Sequence, residues 1–198
     1  MKPLAKTAKR TPAKQALIPF SKSLKELARE AKDCKNCDLW RAATQTVFGE
    51  GSPHAQSKPF VGPAGKLLDA SLLEAGIDRK KVYVTNAVKH FKWEPRGKRR
   101  IHKKPSAGEI AACRPWLDAE IAVLKPKVIV CLGATAAQAL LGSAFRVTER
   151  HGEFVDSPLA SYVMATVHPS SILRARDEKT RHEEEKKFVE DLKRIRNL

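Results

Sequence analysis

The stretch "KVIVCLGATAAQALL" constrains the fold most. Five apolar residues, Val128 to Leu132, run without polar alternation into Gly133 and then into an alanine- and leucine-rich helix pattern. A continuous apolar strand feeding directly into a helix is the signature of a parallel strand buried on both faces. The rest agrees with an alternating α/β order. "SKSLKELAREA" reads as a helix capped by Ser23 with Glu26 three residues on, and Pro63 to Ala75 as a helix stopped by Gly76. "KVYVTNA" reads as a short strand, and "SAGEIAACRPWLDAEIAVLK" as helical, kinked or restarted at Pro115. "FRVTERHGEFVD" suggests a hairpin about His151-Gly152, "YVMATVHPSS" a strand ending in a polar turn, and the segment from Asp177 an exposed helix. Strand and helix alternation predicts a parallel α/β sheet covered by helices. Residues 39–58 carry no convincing strand or helix pattern, an uncommon length of structureless chain inside a compact domain.

Charge narrows the partner. Lys plus Arg number 38 against 22 for Asp plus Glu, a formal charge of +16. That excess points to a polyanion, most simply nucleic acid. No apolar run approaches the roughly 20 residues of a spanning helix, so no membrane role is expected. Residues 1–20 lack acids and contain three prolines, the composition of a disordered cationic tail, with one domain expected over 21–198. The N-terminus has no apolar core of a signal peptide, so the cysteines are expected reduced in a cytoplasmic setting.

Several residues could carry chemistry. Cys34-x-x-Cys37, with Cys113 and His90, offers three thiolates and an imidazole, enough for a tetrahedral zinc site or a four-iron cluster. Cys131, inside "VIVCLG", reads as a core thiol. "PFVGPAG" (Pro59 to Gly65) is a turn opening a helix, able to receive a phosphate on backbone amides and to stack Phe60 on a base. His168 in "TVHPSS" stands where a strand's carboxyl end meets a turn, the usual ligand position in open α/β sheets. Asn86 could present its amide to a base edge. In "RGKRRIHKK", six of nine residues are cationic around His102, and that crowding should disfavour its protonated form.

Taken together, "CKNCDLWRAATQTVFGEG", "PFVGPAGKLLD", "VYVTNAVKHFKW", "GKRRIHKKPS", "CRPWL", "LGATAAQALLG" and "TVHPSS" resemble the family 4 uracil-DNA glycosylases, more narrowly their X-type branch, in the right order over about residues 24 to 198. The resemblance implies a three-layer α/β/α sandwich with a short parallel sheet, a [4Fe-4S] cluster, and base excision repair activity on uracil-containing DNA, single-stranded by preference, by a monomer held at the nucleoid through DNA. It implies cluster ligation by Cys34, Cys37, His90 and Cys113. Phe60 would stack on the flipped uracil, Asn86 would read its polar edge with Gly62 and Ser170 alongside, and His168 would support negative charge on the leaving base. Lys98, Arg99, Arg100, Lys103 and Lys104 would meet the DNA backbone. His102 would attack the sugar carbon after uracil departs and stay covalently bonded to it. The family also has a central strand and a "GEQPGD"-like loop that this chain lacks between Gln56 and Ser57. An impaired iron–sulfur DNA-binding protein is therefore the alternative reading.

Overall fold

The computed structural model describes residues 23–43, 45–49, 59–97 and 99–198, without the side chain of Arg99. The basic tail expected over 1–20 and the junction of Gln56 with Ser57 lie outside the described residues.

Eight α-helices and four strands are described: α1 (Leu24–Ala31), α2 (Leu39–Ala42), α3 (Pro63–Glu74), β1 (Trp93–Arg96), β2 (Arg99–His102), α4 (Ala107–Leu124), β3 (Val128–Leu132), α5 (Gly133–Leu141), α6 (Val147–Arg150), β4 (Tyr162–Thr166), α7 (Pro169–Ile172) and α8 (Glu178–Lys193). β3 and β4 pair in parallel, Val128 opposite Tyr162 through Leu132 opposite Thr166. Alternate residues of a strand face opposite sides, and the two core clusters follow that rule. Cys131 and Ala165 pack with Ala137 of α5, Val147 of α6 and Phe145 between those helices. Leu132 packs on the other side with Leu68 and Leu72 of α3, Ile172 of α7, and Phe188 and Leu192 of α8. Helices thus cover both faces of a short parallel sheet, the three-layer arrangement expected. A further cluster joins Leu27 and Ala31 of α1 to Cys113 and Trp116 of α4, with Cys34 and Phe48.

Local signals explain the helices. Ser23 Oγ accepts from the Glu26 amide at 3.2 Å, as read from the sequence. At α4, Ser106 and Glu109 complete a reciprocal capping box. Asp177 caps α8 through the Thr180 amide at 2.8 Å.

Three expectations are corrected. Pro115 does not restart α4, which runs unbroken from Ala107 to Leu124. Its cost of about 3 kcal/mol is outweighed because Cys113, Trp116, Leu117 and Glu120 are all buried on tertiary partners. "KVYVTNA" forms no strand among the described residues, only a single bridge at Val84. Its side chains bond to a helix instead: Tyr83 Oη and Thr85 Oγ1 both donate to Glu120 of α4, at 2.7 and 3.0 Å. Finally, the hairpin expected about His151-Gly152 has only one extended arm. Val147 and Phe145 join the α5 core, so the first arm coils into α6, while Phe154 bridges Met164 and the Val155 amide donates to the Val163 carbonyl.

The basic segment Arg96 to Lys104 contains most of an antiparallel hairpin. β1 and β2 pair Trp93 with His102 and Arg96 with Arg99 around a two-residue turn that begins at Gly97, φ +58°. Lys92 anchors its root, giving Nζ–Oε2 2.9 Å to Glu109 at the start of α4. In the segment that lacked a pattern, α2 is a single turn, and Thr46 forms an isolated antiparallel bridge with His90.

Candidate active site and cysteine cluster

The carboxyl ends of β3 and β4 place the first group of residues. β3 runs straight into α5 through Gly133, whose φ is +82° and at which a Cβ would stand 2.7 Å from that of His168. Glycine there lets the β3–α5 turn close against the β4–α7 turn. His168 is the N-cap of α7, its Nδ1 receiving the Ser170 amide at 3.1 Å and lying 2.8 Å from Ser170 Oγ. A backbone N–H pointed at Nδ1 makes that nitrogen an acceptor, so the neutral ring carries its proton on Nε2. Burial, then Arg174, then His102 push the His168 pKa below 6.5.

Phe60 stacks on that imidazole, ring centroids 5.4 Å apart and planes 26° from parallel. Its φ is +60°, a left-handed conformation unusual for a bulky residue and costing of order 1–3 kcal/mol. Gly65 permits this, since any Cβ at Gly65 would collide with the Phe60 carbonyl. Gly62 is the exposed N-cap of α3. Asn86 is held by its carbonyl, which accepts from Lys89 Nζ at 2.9 Å.

His102 leans on Phe91, centroids 4.7 Å apart. Its pKa is lowered, as the charge run suggested, but through burial first and Arg174 second rather than through the cations of its own loop. Arg174 therefore acts on both histidines and brings His102 and His168 into one electrostatic neighbourhood. Sequence reasoning missed Arg174, six residues beyond His168 and one short helix away. Of the cations assigned to DNA, Arg100 lies 4.5 Å from the Trp93 ring centroid and Lys103 pairs with Glu94 at 2.9 Å. Lys104 is exposed; Lys98 and the Arg99 side chain are outside the description.

The second group lies where α1, α4 and the 83–90 segment meet. Cys34 Sγ accepts from Trp116 Nε1 at 3.1 Å, and Cys113 Sγ accepts from the Lys89 amide at 3.1 Å. Burial raises Cys113 to about 11 and also raises Cys37, with the neighbouring thiols adding to each. Among the described residues, no three of these groups converge on a single-ion position. A cavity of about 160 Å³ is lined by Cys34, Trp40, Thr46 and His90 among others. Thr46 Oγ1 donates its proton to the Ala31 carbonyl at 3.1 Å, so its 3.1 Å contact with His90 Nε2 is a bond donated by the ring. That leaves the Nδ1 lone pair available, and burial keeps the ring neutral. Thiols that burial holds protonated, beside such an imidazole, are the donor set an iron–sulfur cluster would deprotonate and bind.

Beneath both groups lies a pair the sequence did not flag, Lys89 and Glu120, although an acid within the otherwise apolar "AEIAVL" was a visible signal.

Comparison with known proteins decides the family. The model of the uracil DNA glycosylase superfamily matches residues 44–193. The chain belongs to that superfamily. A type-4 uracil-DNA glycosylase of Thermotoga maritima is 34% identical over 171 residues, covering 78% of this chain and 85% of that enzyme. The type-4 uracil-DNA glycosylase of Archaeoglobus fulgidus is 32% identical over 180 residues, 76% of this chain and 83% of its own length. That of Sulfurisphaera tokodaii is 39% identical over 127 residues, covering 56% of this chain and 54% of the enzyme. Within this uracil DNA glycosylase superfamily member, no described helix is long and apolar enough to cross a membrane.

Proposed function

We propose that this protein excises uracil from DNA and is then captured on the product through His102. The stacked Phe60–His168 pair carries the reading: a strained aromatic platform beside a neutral histidine whose hydrogen bond at Nδ1 leaves its proton on Nε2.

A uracil extruded from the strand stacks on Phe60 with its polar edge toward Asn86. As the C1′–N1 bond breaks, its electron pair leaves with the base. Negative charge grows on the uracil oxygens, and His168 Nε2–H donates to it, a fixed donor needing no reorganisation. A neutral imidazole suits this role because it keeps its proton while stabilising the anion. The sugar becomes an oxocarbenium ion, stabilised by its flanking phosphates, which Arg100, Lys104 and their neighbours position. The lone pair of neutral His102 then forms a bond to C1′, and the resulting imidazolium sheds its remaining ring proton to water. Water attacking C1′ instead would yield the free abasic site.

Cys34, Cys37, His90 and Cys113 would hold a [4Fe-4S] cluster, which would tie the CxxC loop to α4 and the 83–90 segment. Type-4 relatives at 31–39% identity support the glycosylase reading; the basic hairpin bearing His102 supports the X-type branch.

A second reading rests on the sequence, where the family's central strand and loop are missing between Gln56 and Ser57: excision would be lost with them, leaving a protein that binds uracil-containing DNA. A denaturing gel separates the two. A heat-stable adduct between the protein and a uracil-containing single strand, lost in His102→Ala while free uracil is still released, is the expected result. Binding with neither adduct nor free uracil overturns excision.

A further inference from the structure

We propose that the hairpin and α2 together form a track for the single strand flanking the reacting nucleotide, with Trp40 as its outer stacking platform. The proposal rests on the reading that DNA is the partner, and it names how the strand is held beyond the reacting base.

Hairpin register sorts the side chains. Trp93 stands opposite His102 and Pro95 opposite Arg100, and residues two apart share a face, so Trp93, Arg100 and His102 lie on one side. On the other side two lysines meet acids, Lys103 with Glu94 and Lys92 with Glu109, each at 2.9 Å, and Arg96 shares that side. On the first side Arg100 meets a ring instead, its guanidinium 4.5 Å from the Trp93 centroid. The aromatic rings of the hairpin therefore gather, with Arg100, on the face that carries His102.

That face continues onto α2. Trp93 Nε1–H donates to the Ala42 carbonyl at 2.9 Å, which fastens the C-terminus of α2 against the hairpin. On α2, Trp40 is 37% exposed. Lys35 Nζ lies 5.0 Å and the Arg41 guanidinium 5.7 Å from its ring centroid. Arg41 also pairs with Asp38 at 3.2 Å, both side chains largely exposed, a contact weak enough for a phosphate to displace. Rings alternating with cations thus run from His102 outward to Trp40. This is the composition that binds single strands without sequence preference, bases on rings and phosphates on cations. A duplex offers no free base faces to such a track.

The test compares affinities for uracil-free, dye-labelled single strands of about 4 and about 16 nucleotides. Wild type should favour the longer strand strongly, and Trp40→Ala should shrink that long-to-short ratio about fivefold or more. Trp40→Phe should retain most of it, and Arg41→Gln should lower the salt slope of long-strand binding by about one. An unchanged ratio in Trp40→Ala, or equal losses on both lengths with an intact melting profile, overturns the track. Failure to release uracil from a short uracil-containing strand would instead overturn excision, leaving the ratio to judge the track alone.

Discussion

Lys89 Nζ and Glu120 Oε2 lie 2.5 Å apart with side chains 0% and 1% exposed. Glu120 also accepts from Tyr83, Thr85 and the Gly49 amide, while Lys89 bonds Thr85 Oγ1 and the Asn86 carbonyl. Burial pulls the Lys89 pKa down, and Glu120 opposes it. Removing either partner strands the other charge in the core. Lys89→Met or Glu120→Leu alone should cost about 3–5 kcal/mol, and the double variant less than the sum of the two. Denaturant melts of the four proteins check this; additive losses would show that the pair is not coupled.

His168 should act on the rate rather than on binding. His168→Ala is expected to lower uracil release about 10²–10³-fold with a small change in KM. Ser170→Ala keeps the backbone N–H on Nδ1 and should lose far less. Single-turnover release assays measure both, and equal losses would mean that the serine hydroxyl, not the amide, orients the ring.

Both His102 and His168 have folded pKa values below the 6.5 of the free side chain. In that case the unfolded chain binds more protons as pH falls from above 6.5 through the lowered folded values. Their neutral form in the fold therefore costs nothing above 6.5, and stability declines as pH drops through that window. Excision and adduct formation should stay flat from pH 7 down to below 6.5, then fall. A pH profile that declines already above 7 would contradict neutral histidines. Arg174→Gln should move the decline to higher pH, since it removes a cation acting on both rings.

Thr46→Val removes the acceptor that fixes the His90 tautomer. With an iron–sulfur cluster bound, its visible absorbance should bleach faster under a chelator, in line with the about 10–100-fold loss of metal affinity usual for outer-shell changes. Equal bleaching of wild type and variant would remove Thr46 from the set of supporting residues.

What the sequence disclosed, and what it did not, divides by range of interaction. The β3–α5 strand and helix, the Ser23 cap and the buried Cys131 were legible because each is specified by residues within one or two turns of chain. "KVYVTNA" misled because its alternation is that of a strand, whereas Tyr83 and Thr85 spend their polar groups on Glu120, more than thirty residues away. His102 was flagged for the right outcome through the wrong neighbours, its own loop rather than burial and Arg174. Phe60 and His168 were each recognisable, but their stacking depends on Gly65 and Gly133 admitting close backbone, a contact no spacing encodes.

The hairpin ladder has one more consequence. Side chains alternate with a period of two, so the direction in which His102 points is a matter of odd or even count from the turn at Gly97. Substitutions along β1 and β2 leave that parity intact, whereas a change of length between Arg96 and Arg99 that shifts the pairing by one residue inverts it and turns the imidazole to the side of Glu94 and Lys103. Lineages descended from this chain should accordingly vary the letters of the basic segment more freely than its length.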